Sequence, residues 1–323
     1  MIRSVAILGG GIMGCSVALE FARRGIRPVL FEAEAELLSG ASRWNEGKIH
    51  LGYLYAGDPT LVTARRMLTG GLLFKSLIED LLETSIDDAI TRQDDVFLCH
   101  QKSVVGLADM LEYFRALTEM VGDHPHAGHY LADVRKAKVE QLAASELERL
   151  TGSPAIVAGF RVPERSVATS WVADRLVDAV RAQSRIEVRP GSRVLGVADI
   201  SRAGTMDRWR IHTPGGVEGP FDCVVNALWQ GRLAVDQTAS MQLPKDWSHR
   251  YRLSMFLRTR RPFQLPSAVI VTGPFGDIKN YNGRDFYLSW YPAGLRLESS
   301  SLHPPDVAPP STLEADEISD AIA

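Results

Sequence analysis

Val5-Ala6-Ile7-Leu8-Gly9-Gly10-Gly11-Ile12-Met13-Gly14 opens the chain, and Val29-Leu30-Phe31-Glu32 follows after a helix-like stretch. An apolar strand runs straight into Gly9-x-Gly11-x-x-Gly14, and an acidic residue ends the next strand. Each glycine has a physical task. Gly9 permits the tight turn off the strand, Gly11 lets the backbone approach a pyrophosphate where a Cβ would collide, and Gly14 lets the helix pack closely on the strand. The helix N-terminus, with Ile12 and Met13 in its first turn, offers N–H groups and a positive dipole end to phosphates. Glu32 lies 18 residues beyond Gly14, where a carboxylate accepts ribose hydroxyl protons, with Ala33 beside it. The alternative is a glycine-rich turn in some other α/β protein. Strand, helix, second strand and acid in that order favour a dinucleotide, and the carboxylate favours the free ribose diol of FAD or NAD over NADP.

Outward from this motif, 323 residues suggest about two domains, and 45% hydrophobic with 23% charged residues suits a packed core. A net charge of −3 gives no electrostatic footprint for nucleic acid, and the basic cluster Arg258-Thr259-Arg260-Arg261 is short. Cys15, Cys99 and Cys223 match no metal spacing and read as buried inert thiols in a reducing compartment, which with no signal peptide expected ahead of the first strand suggests a cytoplasmic protein. No apolar run is long enough for a membrane span. His124, His126 and His129 lie in a polar stretch without helical spacing or further ligands, so a solvated loop is expected and no metal site.

Periodicity predicts helices over 12–24, with Gly25 as the stop, 59–84, 104–121, 145–150 and 171–183. Gly70-Gly71 marks a possible kink in the second. Strands are predicted at 28–32, 95–100, 186–189, 193–199, 207–213 and 222–227, then at 250–258, 267–273 and 284–291 as an antiparallel sheet. Thus βαβ at the start gives way to strands without intervening helices, the order of a nucleotide domain interleaved with a β-rich one.

Ala41-Ser42-Arg43-Trp44-Asn45-Glu46-Gly47-Lys48-Ile49-His50-Leu51-Gly52-Tyr53 resembles the second flavin-binding loop of the D-amino-acid-oxidase-like FAD-dependent oxidoreductases. The Ser-x-x-Asn-x-Gly-x-Ile-His-x-Gly spacing is most similar to the glycerol-3-phosphate and L-2-hydroxyglutarate dehydrogenases of that superfamily, and Asp222-Cys-Val-Val-Asn-Ala resembles its later strand. The resemblance implies an α/β fold: a Rossmann-like FAD/NAD(P)-binding domain (1–85 and 151–232) interleaved with an antiparallel β-rich α+β substrate domain (86–150 and 233–300). A Pro-rich segment and C-terminal helix follow at 301–323, with Ser311-x-x-Glu314 as a capping box.

The resemblance also implies FAD as the cofactor and a small amine or 2-hydroxy acid as the substrate, oxidised by hydride transfer. Ser42 would bond a pyrophosphate oxygen or, alternatively, cap a helix or turn. Arg43 lies in the same loop, and Asn45 and Gly47 would allow close backbone approach to the flavin ring. Lys48 would stabilise negative charge on the reduced ring. His50 would orient the substrate or accept its proton, its alternative being a packed structural histidine. Arg296, with Arg252 and Tyr287, is a candidate to hold a substrate carboxylate, since a guanidinium fork matches two oxygens. Two other readings stand beside this one: an NAD-dependent dehydrogenase, and a truncated or degenerate flavoprotein that binds FAD without completing catalysis.

Overall fold

The computed structural model describes residues 2–201 and 208–303. The chain divides into two compact units. The first takes Met1–Asn45, Thr169–Tyr251 and the stretch from Leu297, and the second takes Glu46–Ala168 and Arg252–Arg296.

In the first unit, Val5 to Leu8 of the strand Ser4–Leu8 are fully buried, as in a parallel strand covered on both faces. This strand pairs in parallel with Cys223–Asn226 on one side and Arg27–Phe31 on the other, and Glu187–Arg189 completes a four-stranded sheet. The helix Ile12–Arg23 crosses from the first strand to the second, and Gly25 follows it with a φ of +78°. It packs on both strands and on the helix Thr169–Ala182. A three-stranded antiparallel sheet, Gly216–Phe221, Trp209–Thr213 and Gly196–Asp199, supplies Phe221, Ile211 and Val197 to a core shared with Ala6, Leu8 and Phe31.

The second unit is built on a seven-stranded sheet, in the order Met255–Arg258, Asp285–Trp290, Gly276–Asn280, Ala268–Val271, Asp95–His100, Ile156–Val162 and Glu140–Gln141. The helix Leu107–Gly122 lies on it through Phe114, whose ring meets Phe97 at 6.1 Å and Phe160 at 5.5 Å, edge to face. A second helix, Val62–Leu82, runs without a break through Gly70-Gly71.

Several expectations are corrected here. The strand Ile156–Val162 was not expected: its apolar run lacks alternation and contains Gly159, where a Cβ would meet Leu142 Cδ1 at 2.8 Å. It pairs with Asp95–His100, so the chain up to Ala168 belongs to the second unit rather than to a nucleotide segment at 151–232. The helix Val62–Leu82 also belongs there, ending the first nucleotide segment at Asn45 instead of 85. Conversely, 233–251 falls in the first unit. Ala268–Val271 pairs in parallel with Asp95–His100, so the larger sheet is mixed and not wholly antiparallel. The expected strand 250–258 is broken into His249–Arg252 and Met255–Arg258. Most of the Pro-rich segment and the whole capping box at Ser311 lie outside the described residues.

Candidate cofactor and catalytic sites

In the first unit the glycine turn is a close-packed object. Gly9 adopts a φ of +98°, and a Cβ there would meet the Ala227 carbonyl oxygen at 2.9 Å. A Cβ on Gly14 would sit 1.9 Å from the Gly9 carbonyl oxygen, so Gly14 is demanded by the turn itself more than by the strand. Gly10 is confined by side chains, since a Cβ there would lie 2.5 Å from Leu37 Cδ2 and 2.8 Å from Glu32 Oε2. Gly11 is different: its Cβ would meet only Ser42 Oγ, at 3.1 Å. Packing requires three of the four glycines, and Gly11, the least confined, is where a bound phosphate would approach the backbone.

Glu32 braces the turn. Its two oxygens accept the Gly10 N–H at 2.7 Å and the Glu34 N–H at 2.8 Å. An ionised carboxylate has about four acceptor positions, so capacity remains for ribose hydroxyls. Met13, 63% exposed, stands on the first turn of the helix, while Ile12 and Ala33 are half-buried. Ser42 Oγ accepts the Ile12 N–H at 3.0 Å, capping from 30 residues away a helix whose own N-cap is a glycine. Ser42 thus caps the helix, and its own O–H remains able to donate to a phosphate oxygen. Asn45 closes its own loop by donating to the Ala41 carbonyl oxygen at 2.7 Å. Arg43, expected at the cofactor, instead reaches Asp174 at 2.7 Å and the Leu38 carbonyl oxygen at 3.2 Å, and so ties this loop to the helix Thr169–Ala182.

In the second unit, Gly47 has a φ of +67° and its carbonyl oxygen accepts the Val167 N–H. Lys48 and Ile49 pair with Ser166 and Arg165. The backbone beyond is held on every side. Leu51, Gly52 and Tyr53 N–H all donate to Glu164 Oε1, at 2.7, 3.0 and 3.3 Å. Tyr130 donates to the Ile49 carbonyl oxygen and Tyr113 to that of Gly52. Gly71 lets the long helix approach so closely that a Cβ would stand 2.4 Å from the His50 carbonyl oxygen. His50 is thus presented from a backbone with little freedom, as a reacting group needs. Its side chain is 17% exposed, with Nδ1 3.5 Å from Glu164 Oε2.

The ammonium of Lys48 is not presented at all. Its side chain is 3% exposed, pairs with Asp95 at 2.7 Å and Glu164 at 3.6 Å, and lies over the Phe97 ring. The same Asp95 oxygen takes Lys279 at 2.6 Å. Two lysines and two carboxylates form a neutral buried set. Burial opposes charge on Glu164, but His50, Lys48 and the Leu51 N–H overcome it and hold the carboxyl down at about 2. For Lys48, burial is outweighed by Asp95 and Glu164 and the pKa rises; for Lys279, burial prevails and it falls. The role expected for Lys48 beside the flavin is replaced by a place in this set.

On the sheet of the same unit, Arg252 donates to the Tyr287 hydroxyl at 3.0 Å and stacks over the Tyr291 ring at 4.6 Å. Asp277, half-buried, has its pKa raised by desolvation, with Lys279, Lys48 and Arg252 pulling the other way. Arg296 is exposed on the strand Leu295–Ser299. Among the described residues no cluster of His, Cys, Asp and Glu is arranged to hold a metal; His124 contacts Thr69 and the His126 ring, which in turn meets His129. Asp95 and Glu164 were missed by sequence reasoning, and no local signal marks them: Asp95 begins a strand, Glu164 lies in the turn between two, and only the fold buries them.

The model of the FAD dependent oxidoreductase (DAO) family matches residues 4–323. The chain belongs to the DAO family. Its cofactor is accordingly FAD, and the nicotinamide alternative falls away. Among DAO-like relatives, it is 31% identical over 77 residues to the glycerol 3-phosphate dehydrogenase of Caloramator mitchellensis, covering 24% of this chain and 16% of that one. It is 39% identical over 62 residues to glycerol-3-phosphate dehydrogenase 1 of Mycobacterium tuberculosis, covering 19% and 12%. These matches therefore span only a small part of each curated relative. The fold is similar to that of glycine oxidase from Geobacillus kaustophilus, with a TM-score of 0.67 at 19% identity over 89% of this chain and 71% of the other. No helix among the described residues is long and apolar enough to cross a membrane.

Proposed function

We propose that this DAO-family chain is an FAD-dependent oxidoreductase that oxidises the C–H bond beside an amine or hydroxyl of a small acid. The observation that carries the reading is the turn Gly9–Gly14, in which packing accounts for Gly9, Gly10 and Gly14 while Gly11, at a helix N-terminus, is crowded by one hydroxyl, that of Ser42. That cradle fits a dinucleotide pyrophosphate, with Glu32 toward the ribose. FAD, when bound, supplies the hydride acceptor. The chain's own residues have the remaining tasks. His50 accepts the proton that the amine or hydroxyl loses as its carbon is oxidised, and Arg252 with Tyr287 holds a carboxylate. The names of the similar proteins include one dehydrogenase of a hydroxyl compound and one oxidase of an amine, so both substrate classes stand. Three free cysteines, with the Cys15 thiol pushed up to about 12 by burial and then by Glu32, suit a reducing compartment such as the cytoplasm.

The test begins with the absorption spectrum of the purified protein. Flavin bands are expected, and their anaerobic bleaching by one member of a panel of amino and 2-hydroxy acids identifies the class. Flavin bands that no substrate bleaches would favour a protein that holds FAD without catalysis. Glu32→Ala should weaken FAD binding by about 1.5–3 kcal/mol, the value of a hydrogen bond to a charged group. An unchanged dissociation constant, measured by calorimetry, would remove Glu32 from the ribose.

A further inference from the structure

We propose that Glu164 is a positioning residue that fixes the tautomer of His50, holding the proton on Nδ1 and leaving the lone pair on Nε2. The inference rests on the role of His50 proposed above. Glu164 is completely buried. Its Oε1 is committed to three backbone donors, the N–H groups of Leu51, Gly52 and Tyr53. Its Oε2 and His50 Nδ1 face each other at 3.5 Å, and among the described residues neither atom has a hydrogen-bond partner. Lys48 Nζ, 3.6 Å from the same Oε2, is paired more closely with Asp95. A buried carboxylate oxygen needs a donor, and the imidazole Nδ1 is the nearer of the two groups that face it, Lys48 Nζ lying against Asp95 instead. A proton on Nδ1 leaves Nε2 as the basic nitrogen, the arrangement a proton acceptor requires.

This geometry makes an unusually directed test. In Glu164→Gln the three N–H donors still demand an oxygen at the Oε1 position. The amide nitrogen must then take the place of Oε2 and point its hydrogens at His50 Nδ1. The imidazole is forced to accept there, and its proton moves to Nε2. Exchanging the carboxylate for its amide keeps the shape and reverses the tautomer, the logic known from hydrolase triads.

The experiment is nitrogen-15 NMR of the full chain labelled at histidine, at about pH 8, where an ordinary imidazole is neutral, with His50 assigned by difference from His50→Asn. The expected result is an Nδ1–H imidazole in the parent protein and an Nε2–H imidazole in Glu164→Gln. With an oxidisable substrate, flavin reduction should slow about 100-fold at unchanged KM, the scale of lost general-base assistance. A parent His50 already protonated on Nε2, or a tautomer unchanged in folded Glu164→Gln, overturns the proposal. If the lost charge prevents folding, Lys48→Met with Glu164→Gln restores neutrality around Asp95 and Lys279 and gives the same readout. The tautomer is read without substrate, so a switch accompanied by unchanged reduction would refute the role of His50 and leave the positioning by Glu164 standing.

Discussion

Gly11 and Gly14 stand three residues apart in one motif, yet their substitution has different consequences. A methyl on Gly14 would sit 1.9 Å from the Gly9 carbonyl oxygen, whereas one on Gly11 meets a single hydroxyl at 3.1 Å. Gly14→Ala should therefore destabilise even the FAD-free protein, by about 1–3 kcal/mol or more, as overpacking does. Gly11→Ala should lower its thermal midpoint less, by no more than the displaced Ser42 cap, and lose FAD retention. Melting curves of the two FAD-free variants check this, and equal loss in both would show that the turn is not packed as described. Ser42 teaches a related lesson. Its hydroxyl caps a helix that begins 30 residues earlier, a contact that no local motif announces.

The helix Val62–Leu82 shows the same contrast between neighbours. Glycine in an exposed helix costs about 1 kcal/mol relative to alanine. Gly70 has nothing within 4 Å of its would-be Cβ, so Gly70→Ala should stabilise the protein by about that amount. Gly71→Ala should do the reverse, since its Cβ would lie 2.4 Å from the His50 carbonyl oxygen. It should also slow flavin reduction, because the segment carrying His50 must move. Urea midpoints and anaerobic reduction rates measure both effects, and stabilisation by both alanines would contradict the close approach. Neither the uninterrupted helix nor the reason for its second glycine was visible in the pattern, because the partner of Gly71 is a backbone oxygen.

At the scale of the molecule, Lys48, Asp95, Glu164 and Lys279 bring four distant stretches of chain into one buried set. Such a set makes stability depend on acid. The Glu164 carboxyl is held at about 2, below its ordinary 4.5, and the Asp95 carboxyl is also lowered, with burial opposing and Lys279 and Lys48 prevailing. A carboxyl whose folded pKa is depressed stabilises the fold fully above its unfolded value and loses that contribution as pH falls toward the folded one. Unfolding free energy should thus be insensitive to these groups at neutral pH and fall between about pH 4.5 and 2, by about 3 kcal/mol for Glu164 alone. Urea unfolding across that window should show the slope, with a shallower one in Glu164→Gln. An equal slope in the variant would place the acid sensitivity elsewhere.

The sequence alone determined what depends on neighbours along the chain. The Gly9–Gly14 turn, the acid that ends the next strand, and the Ser42-to-Gly52 loop are local patterns, because a tight turn, a helix N-terminus and a ribose acceptor are built from consecutive elements. They were enough to reach the α/β fold and the FAD-dependent family that the comparison then showed. Tertiary structure decided what depends on distant partners. It moved the strand Ile156–Val162 and the helix Val62–Leu82 into the second unit, tied Arg43 to Asp174, and withdrew Lys48 into a buried charge set. It also placed Glu164 beneath His50. A charged side chain reads alike in sequence whether it faces water, a ligand or another charge. Which of these it meets is settled by long-range packing, since only a buried partner makes its burial tolerable.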